Sequence, residues 1–203
     1  MHRVGFDGVP VGELPAGFVS ESMQLNQEMT ANVFCCTFYS SSLVRRYGRS
    51  MTSWGDFKAL EPQLAELVER LFAIGRHKTL ATLRADGSPR ISGIECAFDE
   101  GNLHFGSMEA ARKSADIHRD PRIALHSPTV DPIESDEAAW PGEAKIAGIA
   151  ISAGPIEGPD AHPGEQFVVD VAEVVVVHLN DDATKLVVEW WTPAGGHQFV
   201  ERA

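Results

Sequence analysis

Leu80-Ala81-Thr82-Leu83-Arg84-Ala85-Asp86-Gly87-Ser88-Pro89-Arg90-Ile91-Ser92 decides how the rest of the chain is read. The segment opening at Lys78 and running to Arg84 reads as a strand. Asp86-Gly87 is a hairpin signal, because glycine accepts the positive φ that a tight turn demands. Pro89 to Phe98 then reads as the return strand. Asp99-Glu100-Gly101-Asn102 is a second turn, and Leu103-His104-Phe105 a third strand. Antiparallel pairing of neighbours in sequence is thus established within thirty residues.

Further along, Phe105-Gly106-Ser107-Met108-Glu109-Ala110-Ala111-Arg112-Lys113-Ser114-Ala115-Asp116 reads as a strand end, a small-residue turn and a helix start. Ser107 is the expected N-cap, and Glu109 sits where a helix N-terminus favours negative charge. The helix runs from Glu109 to about Arg119 and stops at Asp120-Pro121, since the residue before proline avoids helical geometry. Arg122 to Ser127 is a fourth strand. Pro128 to Pro141 is acidic and proline-bearing, an exposed loop. Glu143 to Ala153 is a fifth strand, Gly154 to Gly164 a connection, and Phe167 to Leu179 a strand suited to burial on both faces. Lys185 to Trp191 is the last strand, followed by a short tail from Pro193.

Upstream of the hairpin, Leu60, Leu64, Leu67, Val68, Leu71 and Phe72 form one apolar stripe, predicting a single helix over Phe57 to Arg76 with Asp56 as N-cap. About seven strands and two helices result. The pattern predicts a mainly β domain: a small antiparallel, Greek-key-like barrel with helices packed outside.

The chain has 203 residues and a net charge of −12. Nucleic acid is a poor partner for so acidic a protein, because neutralising phosphates requires a basic face. Cys35, Cys36 and Cys96 make no metal-ligand spacing, and reduced thiols in a cytoplasm fit them best. Apolar runs such as Val174 to Val177 are too short to span a bilayer. The first fifty residues differ: four acidic and four basic side chains cancel, so the whole net charge lies in residues 51–203. Residues 1–50 show no sustained period. They are expected to be a disordered extension, or to arise from a start codon placed too early, with the domain proper at 51–203.

No Gly-x-Gly-x-x-Gly or Walker-type loop follows a strand, and no Gly-x-Ser-x-Gly elbow exists. The eight histidines form no metal-ligand spacing. No acid–base pair stands out, so no catalytic side chain is assigned. What remains is a cationic group against the prevailing sign: Arg90 at the start of the second strand, and Ser107, Arg112 and Lys113 around a helix start. Arginines, a lysine, a hydroxyl and helix N–H groups suit a phosphate monoester. From this stretch alone, Arg112-Lys113 also reads as a solvated helix face, with Glu109 and Lys113 four apart as an ordinary surface pair.

The segment 80–92, the Phe105-Gly106-Ser107 turn with Arg112-Lys113, and Asp120-Pro121-Arg122-Ile123-Ala124-Leu125 together resemble the pyridoxamine 5′-phosphate oxidase-like family of FMN-binding split barrels, over residues 57–192. The resemblance implies a flavoprotein oxidoreductase in which Arg90 and Lys113, with Arg112 beside them, hold the FMN phosphate. It implies that Ile91, Ser92 and Gly93 run along the flavin ring and that Ser107 lies near the phosphate. It further implies a homodimer with cofactor at the interface, where Trp190 and Trp191 are either packing residues or core. The chain is expected to lack the arginine- and tryptophan-rich C-terminal segment that helps the true oxidases bind substrate, so the resemblance does not extend to pyridoxamine phosphate as substrate, and the small molecule is unassigned. Short forms of the family use a deazaflavin coenzyme or bind haem, and a non-catalytic flavin carrier is a further alternative.

Overall fold

The computed structural model describes residues 52–158 and 162–202. The expectations for residues 1–50 lie outside the described residues.

Two helices precede the sheet rather than one. Ser53 caps α1 (Trp54–Leu60), its hydroxyl accepting from the Asp56 amide at 3.1 Å. Asp56, the expected cap, therefore sits in the first turn. The chain breaks at Glu61 because Pro62 has no N–H to continue a helix; proline instead opens α2 (Pro62–Ala73). The apolar stripe holds in α2, where Leu64, Val68, Leu71 and Phe72 are buried, whereas Leu60, at the end of α1, is 66% exposed.

Nine strands follow: β1 (Lys78–Leu83), β2 (Pro89–Ile94), β3 (Cys96–Asp99), β4 (Asn102–Met108), β5 (Arg122–His126), β6 (Glu143–Pro155), β7 (Gly164–Leu179), β8 (Leu186–Thr192) and β9 (Gly196–Arg202), with α3 (Arg112–Arg119) between β4 and β5. The expected return strand over 89–98 is thus two strands. Its first part pairs with β1 and its second with β4. The expected tail is β9, which pairs with β8 from Leu186↔Arg202 to Thr192↔Gly196. The 128–141 segment is largely exposed, as expected, with one short 3₁₀ turn at Glu137–Ala139 and Trp140 Nε1 donating to the Val130 carbonyl at 3.0 Å.

All pairings are antiparallel, in the order β2-β1-β5-β6-β7-β4-β3. β7 is the axis of the arrangement. One edge pairs with β6 along most of its 16 residues. The other edge is divided: Gly164 to Val168 pair with β4, and Val174 to Leu179 with β8. Two register shifts between β6 and β7 let these long strands bend. The result is a split barrel.

Its core is built from Phe105, Phe167, Leu80, Leu103, Leu125 and Ile146 on the strands, closed by Trp54, Phe57 and Phe72 from α1 and α2. Trp54 packs on Phe98 at 4.5 Å between ring centroids and Phe57 on Trp191 at 4.8 Å. Trp191 is therefore a core residue, 3% exposed; Trp190 alternates to the other face of β8 and is half-buried. Each such side chain contributes roughly 1.5–3 kcal/mol through burial. Among the described residues no helix is long and apolar enough to cross a membrane.

Candidate functional site

β2 and β4 approach one another across the opening of the barrel, and the turn after β4 delivers the start of α3 to the same place. A cavity of about 540 Å³ lies there. Gly93 and Ile94 of β2 with Glu95 after it, His77 before β1, Gly106, Ser107 and Met108 of β4, and Lys113 of α3 line it, with Ile156, His162 and Pro163 from the β6–β7 connection. The Glu95 carboxylate is paired with Arg76 at 2.9 Å.

The β4–α3 turn explains how Lys113 arrives there. Ala110 takes a left-handed conformation, φ 56°, which reverses the chain before the helix. Glu109 donates its amide to the Pro163 carbonyl at 3.0 Å, tying the turn to the β6–β7 connection. α3 then starts at Arg112 with Ala111 as N-cap, not with Ser107. Alanine has no side-chain acceptor, so no side chain caps the first turn of α3; the Ser114 amide donates to the Ala111 carbonyl at 3.1 Å, and the amides of Arg112 and Lys113 are left without a side-chain cap. The Lys113 side chain stands beside them with no hydrogen bond or ion pair to any described residue, and no pair with Glu109 forms. A helix N-terminus without a side-chain cap, next to an unpaired ammonium, has the chemistry that suits an anion.

Ser107 lies inside β4, 2% exposed, and its hydroxyl accepts from Ser114 Oγ at 2.7 Å. This bond joins the third residue of α3 to β4. Gly164 stands opposite Ser107 in the β4–β7 register, and a Cβ there would collide with the Ser107 carbonyl. The two glycines that line the cavity, Gly93 and Gly106, serve its shape. A Cβ on Gly93 would meet nothing within 4 Å, so its absence leaves bare backbone facing open space; one on Gly106 would press on Ile156 Cδ1 at 3.2 Å.

Arg90 is placed differently. It faces Thr82 across the β1–β2 pair. Its Nε donates to Asp116 Oδ2 at 2.5 Å. Asp116 also accepts from Thr82 Oγ1 at 3.1 Å and from Arg119 Nη2 at 3.0 Å, and Arg119 donates as well to the Leu83 carbonyl. The Asp116 side chain is 5% exposed. The Arg90 hydrogen bond, aided by Arg119 and Thr82, holds its carboxyl at about 2 against the opposing effect of burial. The terminal nitrogens of Arg90 carry no bond to any described residue.

Of the seven residues expected at the site, Gly93, Ser107 and Lys113 line one cavity. Arg90 is anchored behind them, Ser92 is half-buried, Ile91 is 76% exposed on β2, and Arg112 is exposed on the first turn of α3. Sequence reasoning missed His77, Ile94, Glu95, Gly106, Met108, Ile156, His162 and Pro163. Gly106 and Met108 flank the quoted Ser107, and Ile94 and Glu95 follow Gly93; Ile156, His162 and Pro163 come from a connection whose return to this point depends on the β4–β7 pairing.

The strand histidines are committed elsewhere. His178 has Nδ1 2.7 Å from the Leu179 carbonyl and Nε2 2.6 Å from Glu189. His126 faces the Ser127 carbonyl at 2.7 Å and Glu143 at 3.4 Å. His104 bonds Gln166 through Nδ1, and its Nε2 is sealed from solvent, 2.6 Å from Asp99 Oδ1 but off the hydrogen-bonding direction.

No family model matches the chain, and no curated protein matches it by sequence. Solved structures do. A pyridoxamine 5′-phosphate oxidase-related, FMN-binding protein from Nostoc punctiforme superposes with a TM-score of 0.50 at 11% identity, spanning 70% of this chain and 95% of that one. PhzG from Burkholderia lata 383 gives 0.48 at 10% identity, over 72% and 91%. HutZ, the haem storage protein from Vibrio cholerae, gives 0.43 at 13%, over 58% and 94%. The fold is the split barrel of the Nostoc protein.

Proposed function

We propose that this split barrel binds FMN and acts as a homodimeric flavin-dependent oxidoreductase on a small molecule. The observation that carries the reading is the convergence of Lys113, the uncapped start of α3 and Ser107 on one cavity, in a chain whose net charge is −12. A phosphate there meets a cation with no competing partner. The Nostoc protein that shares the fold is itself FMN-binding.

In this reading Lys113 and the α3 amides hold the phosphate, with the terminal nitrogens of Arg90 and, at the surface, Arg112 in support. The Gly93 backbone, flanked by Ile91 and Ser92, offers a flat face free of side-chain bulk. Ile94, Met108 and Ile156 exclude water from the ring. The flavin supplies the electron-transfer chemistry; this chain binds and orients it. The exposure of Met108 at the cavity rim, 72%, and of Ile91 on β2 fits a second copy of the chain covering that side.

A deazaflavin is the second reading. Asp116 absorbs charge from both Arg90 and Arg119, leaving Lys113 as the one unpaired lysine or arginine lining the cavity, a match for the single charge of a phosphodiester. Haem ligated by a strand histidine has less support, since those rings are engaged or sealed.

The absorption spectrum of the purified protein separates the three cofactors. Turnover with a reduced nicotinamide then separates enzyme from carrier. A protein that neither carries nor binds any flavin or deazaflavin contradicts the proposal.

A further inference from the structure

β1 turns Lys78, Leu80 and Thr82 toward the interior. Leucine and threonine are ordinary there; lysine is not. Lys78 is 9% exposed and stands opposite Ile94 in the β1–β2 register. Its ammonium makes one hydrogen bond, 3.2 Å to the neutral Arg76 carbonyl. No carboxylate among the described residues lies within ion-pair distance of it. The nearby acids are taken: Glu95 pairs with Arg76 at 2.9 Å, and Glu69 accepts from Trp54 Nε1 at 2.8 Å and from Lys58 at 2.8 Å. An ammonium has three donors and a large desolvation cost, and this one has no carboxylate in contact; the exposed Glu95 feels it only through space.

Lys78 forms part of the wall of a second cavity, about 280 Å³, between α2 and β3. This cavity shares no residue with the one around Lys113. Phe72, Ala73, Phe98 and Ala97 give it apolar walls, and Cys96 lies among them; Glu69 also lines it, its charge taken up by Lys58 and Trp54 Nε1. Burial pushes the Cys96 thiol up to about 11, so sulfur does not supply the missing anion near neutral pH.

We propose that this cavity is a separate binding site for a small organic monocarboxylate with an apolar body. The carboxylate neutralises Lys78, and the body lies against the Phe72 and Phe98 rings. A bare inorganic anion leaves those rings unused, and a dicarboxylate brings its second charge toward Glu69. The site is independent of the flavin reading.

The test uses the full chain and follows alkylation of Cys96 by iodoacetamide, mapped by peptide mass spectrometry. Benzoate, its neutral isostere benzamide, and inorganic phosphate are compared at one millimolar-range concentration. Benzoate is expected to slow Cys96 alkylation several-fold, with benzamide and phosphate inert. Lys78→Met is expected to abolish that protection and to raise the melting temperature of the ligand-free protein, because a buried charge with no carboxylate in contact becomes an apolar chain of similar length. Protection by benzamide equal to that by benzoate overturns the proposal. So does an absence of benzoate protection, its survival in Lys78→Met, or a lowered melting temperature in that variant.

Discussion

Arg90 and Lys113 carry the same charge, and both were expected to grip a phosphate, but the fold uses them differently. Lys113 reaches a cavity with no partner of its own. Arg90 is fastened through Nε to a buried carboxylate that also takes Thr82 and Arg119. The first is a cation whose charge is available. The second is an orienting brace whose remaining nitrogens are held in place. Asp116 makes the difference: it ties α3 to β1 and β2, and through α3 it fixes where Lys113 stands. Charge read along a sequence says nothing of this, because availability depends on which acid lies nearby in space.

The comparison breaks most readily at Asp116. Asp116→Ala leaves two arginines and a threonine around an empty position, and is expected to cost about 3–5 kcal/mol of folding stability, measured by urea denaturation. A loss below 1 kcal/mol, the scale of an exposed pair, contradicts the brace. Next in size, Lys113→Ala is expected to weaken FMN binding by about 1–3 kcal/mol with an unchanged melting temperature, whereas Arg90→Ala lowers both affinity and melting temperature. Identical behaviour of the two variants erases the distinction.

Acid titration sharpens it further. The Asp116 carboxyl lies at about 2 in the folded protein against an ordinary value of 3.8. A depressed acid lends stability that is complete above the ordinary value and is lost as pH falls toward the folded one. The stability gap between the native protein and Asp116→Asn is therefore expected to shrink between pH 3.8 and about 2, and to stay flat above that window. The smallest effect belongs to Arg112→Ala, on the exposed side of the first turn, with a change in stability within about 0.5 kcal/mol.

The hairpin was legible because Asp86-Gly87 is a local signal, and Gly87 indeed has a positive φ of 81°. The barrel class followed from the spacing of such turns. Other boundaries were set by distant pairing. Nothing within Pro89 to Phe98 marks Glu95 as a break; the division exists because β3 turns to β4 instead of β1. Gly195 and Gly196 read as the start of a tail, yet β9 opens on Gly196 and pairs with β8 through Arg202. The helix start was misplaced because Ser107-Met108-Glu109 carries a good capping pattern, whereas the left-handed turn that governs the chain falls on Ala110, a residue with no preference for it. At the site, Ser107 and Lys113 were legible as polar groups near a strand–helix turn. The brace was not, because Asp116 lies 26 residues from Arg90 in sequence and reads as one more acid in an acidic chain.

The central claim is that Lys113 holds the phosphate of a flavin. Calorimetric titration of the full chain with FMN and with riboflavin, which lacks only that phosphate, tests it directly. The native protein is expected to bind FMN more tightly by about 1–3 kcal/mol, and Lys113→Ala to bring the two ligands to the same affinity. Equal affinities in the native protein, or a preference for FMN that survives in Lys113→Ala, contradict the account.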